Sequence, residues 1–174
     1  MHRCSASPAP IVKGDRYGEF QYSKNQYEID QMKMVPYASA VGSLQYAQVC
    51  TRPDIAYVTG LLGRFQSNPG PEHWKLVKKV LRFLRGTKGL MLTYRRTESL
   101  HVVGYSDSDY AGDDRKSTSE YVFTLGGAIS WKSCKQTVTA SSTMYAEFVA
   151  CYEATGQVNW LKKFIPGLKV VDDH

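Results

Sequence analysis

HVVGYSDSDYAGDDRKSTSEYVFTLGGAISWK spans residues 101–132 and alternates apolar or aromatic with polar side chains, the period of two that marks strands. It predicts strands over His101–Asp107, Tyr121–Leu125 and Ala128–Lys132, with Gly126-Gly127 as the turn of a hairpin. Two flanking runs, Leu90–Arg95 and Thr137–Ala140, carry the same pattern and are predicted as further strands. Downstream, Ser141-Ser142-Thr143 opens a helix over about 143–164. Its buried stripe is Ala146, Val149, Ala150, Ala154, Val158 and Leu161, and Pro166-Gly167 stops it. A short apolar run, Leu168–Val171, follows and ends in Asp172-Asp173-His174.

Upstream the period changes to that of helices. Ala40, Val41, Leu44 and Ala47 predict a helix over about 36–49. Thr51-Arg52-Pro53-Asp54 reads as the start of a second, with Thr51 as the cap and Ile55, Val58, Leu62 and Phe65 as its apolar stripe. In a third helix over about 71–86, Trp74, Val77, Leu81 and Leu84 make one apolar face, joined by Leu76, Val80 and Phe83, and Gly86 closes it. Residues 1–35 are polar and turn-rich and read as a flexible or extended lead-in. The expected fold class is α+β: lead-in 1–35, helical segment 36–88, and strands with a closing helix over 89–174.

Composition fits a globular chain of 174 residues, 43% hydrophobic and 22% charged. No run approaches the ~20 apolar residues that span a bilayer, so no membrane partner is expected. The four cysteines form no Cys-x-x-Cys pair and read as reduced thiols of an intracellular protein. Charge is uneven. Residues 1–100 carry 15 Lys and Arg against 7 Asp and Glu, whereas residues 101–174 carry 7 against 9. The third helix concentrates Lys75, Lys78, Lys79, Arg82 and Arg85, a stripe suited to nucleic-acid phosphates, or equally to a solvated face.

The acidic run Tyr105-Ser106-Asp107-Ser108-Asp109-Tyr110-Ala111-Gly112-Asp113-Asp114 places Asp107 and Asp109 two apart, on one face of a strand. Clustered carboxylate oxygens suit a hard cation such as Mg²⁺. Glu147 stands in the first turns of the closing helix and could be brought against that strand. On residues alone the acidic run reads more readily as a surface turn, and Glu147 as a solvated side chain.

The runs TRPDIAY, SNPG-x-EHW, RKSTS, GGAISW and SST-x-x-AEF change this balance. With their surroundings, over about residues 8–169, the chain resembles the carboxyl-terminal part of copia-type retrotransposon Pol polyproteins, where reverse transcriptase runs into ribonuclease H. The resemblance implies a helical reverse-transcriptase segment over 36–88. It implies after that a truncated ribonuclease H-like fold of three antiparallel strands and a helix. It also implies cleavage of the RNA strand of an RNA–DNA hybrid with two Mg²⁺ ions. Asp107 and Glu147 match the family's first two catalytic and metal-binding carboxylates, and Asp109 is the rival for the first role. Two further Asp residues belong to C-D-N and K-H-I-D runs that the 174 residues lack. The family usually has Gly where Glu120 stands, so strain in that strand is expected. The resulting expectation is a fragment with weak or absent Mg²⁺ binding and negligible hydrolysis, at most gripping nucleic acid through Lys75, Lys78, Lys79, Arg82 and Arg85. The alternatives are a ribonuclease H completed by a missing segment in trans, or a protein-interaction module using an exposed sheet edge.

Overall fold

The computed structural model describes residues 4–12, 15–95, 101–112 and 115–168. Asp113, Asp114 and the acidic end Asp172-Asp173 therefore lie outside the described residues. The chain divides into two compact units, Met1–Met91 and Leu92–His174.

The first unit is built on helices α1 (Gln26–Lys33), α2 (Tyr37–Thr51), α3 (Ala56–Gly63) and α4 (Pro71–Gly86). Its core joins Tyr37, Val41 and Leu44 of α2 to Val58, Leu61 and Leu62 of α3 and Leu76, Val77 and Val80 of α4. The spacing of these residues is that of single helix faces, and each face closes on the others. The Tyr37 hydroxyl crosses the core to donate to the Leu62 carbonyl at 2.9 Å.

Two expectations here are corrected. Thr51 ends α2 rather than capping the next helix. A 3-10 turn over Pro53–Ile55 intervenes, and neither it nor α3 has a side-chain cap. Asp54 instead takes both arms of the Arg52 guanidinium at 2.9 and 2.6 Å. Arg52 also donates to Thr87 Oγ1 at 2.7 Å and lies over the Phe83 ring, tying the start of α3 to the end of α4. The second correction concerns the lead-in, which contains α1 and a 3-10 turn over Glu19–Gln21. Asn25 caps α1 by accepting from the Glu28 amide at 2.8 Å. Met32 is buried in the core, Ser23 Oγ donates to the Pro69 carbonyl at 2.8 Å, and Asp15 pairs with Lys79 at 2.9 Å.

The second unit holds a three-stranded antiparallel sheet in the order β1 (Val103–Asp109), β2 (Thr118–Thr124), β3 (Ala128–Lys135), followed by α5 (Thr143–Gly167). The β2–β3 hairpin turns through Leu125–Gly127. Gly126 adopts φ 69°, a left-handed conformation that favours glycine, and the Leu125 amide donates to the Gly127 carbonyl at 2.8 Å. Ser142 caps α5 by accepting from the Tyr145 amide at 3.1 Å. The helix packs on β1 and β2, where Phe123 is buried with Ala154, Leu161 and Ile165.

Leu90–Arg95 and Thr137–Ala140, expected as strands, lie outside the sheet. The first run touches the hairpin through the Arg95 amide, which donates to the Gly126 carbonyl at 2.9 Å. The second is a connection pinned from just upstream: buried Gln136 donates from Nε2 to the Ala146 carbonyl at 2.8 Å. Glu120, where strain was expected, holds a regular ladder position between Asp107 and Ser133.

Candidate functional site

The sheet register decides which carboxylates meet. Residues directly paired in an antiparallel ladder project to the same face, and neighbours along a strand to opposite faces. Gly104 pairs with Phe123, whose ring lies against α5, and a Cβ at Gly104 would strike that ring. Gly104, Ser106 and Ser108 therefore face the helix, and Asp107 and Asp109 point to the opposite, open face. Both aspartates are exposed, and the Asp107 carboxylate accepts from the Ser108 amide at 2.8 Å.

Glu147 stands on α5 directly after buried Ala146 and is exposed. The sheet thus lies between Asp107 and the helix that carries Glu147. Among the described residues, no three His, Cys, Asp or Glu side chains gather closely enough to hold a metal ion. Asp107, Asp109 and Glu147 do not fit a shared Mg²⁺ site among the described residues.

The carboxylate that does join Asp107 is Glu120, its direct partner across the ladder. Half-buried, Glu120 accepts from Ser133 Oγ at 2.8 Å. Burial pushes its carboxyl above the ordinary range, the Ser133 hydrogen bond opposes the shift, and the charges of Asp107 and Asp109 add to it. Sequence reading noticed Glu120 only as a departure from a family pattern. Strand alternation could have put Glu120 on one face of its strand, but pairing it with Asp107 takes the β1–β2 register.

The cations of α4 present a different surface. At about 100° per residue, Lys75, Lys78, Lys79, Arg82 and Arg85 fall on the side away from buried His73, Leu76, Val77 and Val80. Three have partners within the unit: Lys75 pairs with Glu72 at 2.5 Å, Lys79 with Asp15 at 2.9 Å, and Arg85 donates to the Cys4 carbonyl. Trp74, Lys75, Lys78, Leu81 and Arg82 line a groove of about 580 Å³ beside Cys4. The sequence puts Trp74 and Leu81 on the helix's apolar face; both are partly buried and form the groove's apolar wall.

No family model and no solved structure matches the chain. Among curated proteins, it is 51% identical over 144 residues to the retrovirus-related Pol polyprotein from transposon TNT 1-94 of Nicotiana tabacum. That match covers 81% of this chain and 11% of the polyprotein. The corresponding protein from transposon RE2 of Arabidopsis thaliana is 38% identical over 143 residues, covering 79% of this chain and 10% of the relative. The chain therefore spans about a tenth of the length of these polyproteins. A secreted RxLR effector protein of Plasmopara viticola, number 161, is 48% identical over 133 residues, covering 75% of this chain and 94% of the relative. With 51% and 38% identity to these polyproteins across about four-fifths of its length, the chain belongs to the family of copia-type retrotransposon Pol polyproteins.

Proposed function

We propose that the chain is the part of a copia-type Pol polyprotein where the end of reverse transcriptase runs into a ribonuclease H-like unit, and that these 174 residues bind RNA–DNA hybrid inside the cell without cutting it. The observation that carries the reading is the cationic face of α4, where five Lys and Arg side chains line the side of one 16-residue helix away from its core. Neutralising phosphates there releases condensed counterions, which gives sequence-independent binding. Three antiparallel strands followed by a helix support the ribonuclease H-like assignment. The placement of Asp107 and Glu147 on opposite sides of the sheet supports the lack of cleavage. The four free cysteines support an intracellular setting.

The test is fluorescence anisotropy of a labelled RNA–DNA hybrid with the whole chain between 50 and 200 mM salt. A loss of affinity of at least about tenfold is expected from release at three or more phosphates. Lys78→Gln should lower the logarithmic salt slope by about one. An affinity that stays flat across this range overturns the reading.

A second reading, a protein-interaction module at the sheet edge, has its own support. Among the described residues β1 pairs with β2 alone, and exposed Val103 and Tyr105 lie along it. The relative matched over 94% of its own length favours this segment persisting as a separate protein. A pull-down that survives nuclease treatment and is lost in Tyr105→Asp would favour this reading.

A further inference from the structure

We infer that the groove on α4 takes an unpaired nucleotide of a single-stranded stretch, its base against Trp74 and Leu81 and its phosphates on Lys75, Lys78 and Arg82. The inference deepens the nucleic-acid reading of α4 and rests on it. Trp74, Lys78 and Arg82 are spaced four apart and Leu81 seven from Trp74, so Trp74 and Leu81 stack along one stripe with Lys78 and Arg82 on its flank, and all of them, with Lys75, line the groove. The groove's volume of about 580 Å³ lies within the ~300–1,000 Å³ of ordinary small-molecule sites. Its wall is apolar and half-buried, and the exposed Lys75 and Lys78 stand at its rim. Arg82 brings a buried Nε that has no hydrogen-bond partner among the described residues.

An apolar aromatic wall with cations around it is the chemistry of a base-stacking platform. A base paired inside a duplex is stacked on both neighbours and has no face to offer a concave site, whereas an unpaired base does. Charge complementarity favours an anionic occupant over a basic or neutral peptide. Every base has a π-face, so the site should accept any sequence.

The experiment compares, with the whole chain at constant low salt, a 12-nucleotide oligothymidylate, an abasic oligomer of the same length, and a 12-base-pair duplex. The oligothymidylate should bind about fivefold or more tightly than the abasic strand. Trp74→Leu should erase that difference. Lys78→Gln should weaken both strands alike and keep their ratio, which guards against a Trp74 variant that fails to fold. Equal affinity of the thymidylate and abasic strands, with binding still steeply salt-dependent, overturns the stacking site and leaves the phosphate grip intact. Tighter binding of the duplex than of the single strand overturns it in the same way. Failure of every probe to bind overturns the nucleic-acid reading of α4 itself.

Discussion

Glu120 shows how a single side chain can work against the fold that holds it. Burial first, and then the charges of Asp107 and Asp109, push its carboxyl above the ordinary range. A carboxyl raised in the folded state stabilises fully below its ordinary value near 4.5, and that contribution is lost as pH rises through the folded value. At neutral pH the ionised group is a burden. Glu120→Gln should raise the unfolding free energy read from urea titration at pH 7 by an amount on the order of 0.5 kcal/mol, discounted for partial exposure. The gain should vanish at pH 4. His73 runs the other way. It is fully buried, stacked on Phe65 at 4.0 Å, and accepts the Gly70 amide at Nδ1. Burial holds the ring below its ordinary range, against the smaller opposing effects of the Gly18 backbone and Glu72. A base lowered in the folded state stabilises above its ordinary value near 6.5, and that stability falls away as pH drops through the folded value. The melting temperature of the first unit should therefore fall between pH 7.5 and 5. His73→Gln, although less stable at pH 7.5, should flatten that slope.

At the scale of elements, packing between segments overrides local pattern. Gly70, just before α4, meets the backbone of the Glu19–Gln21 turn so closely that a Cβ would overlap the Gln21 carbonyl. Gly70→Ala should cost about 2 kcal/mol or more, because backbone rather than a flexible side chain must move, and thermal unfolding would measure it. The helix over 71–86 was legible because Pro71 opens it, Gly86 ends it and its apolar positions keep one period. Ser142 marked the start of α5 in the same way. Helix α1 was illegible because one residue of its eight, Met32, is buried, so no stripe announces it; its stability comes from the Asn25 cap and from docking. Thr137–Ala140 had a strand pattern, yet the contact of neighbouring Gln136 with α5 holds it as a connection. Alternation alone showed that Asp107 and Asp109 share a face. Which face meets α5 depends on Gly104 pairing with Phe123, a long-range register that composition does not encode.

For the whole molecule, the two units divide the chemistry: a cationic helix in Met1–Met91, and a carboxylate-bearing sheet in Leu92–His174. A grip on phosphates needs only the first. On the proposed reading hydrolysis would need Asp107 and Glu147 to face one another, whereas the register turns Asp107 away from the sheet face on which α5, the helix of Glu147, packs. The most direct measurement incubates the 174-residue protein with a labelled RNA–DNA hybrid and Mg²⁺ or Mn²⁺, following strand length and retention of the hybrid together. The expected result is hybrid retained by the protein with its RNA strand intact. RNA cleavage by the unaided chain, abolished in Asp107→Asn, would contradict the account.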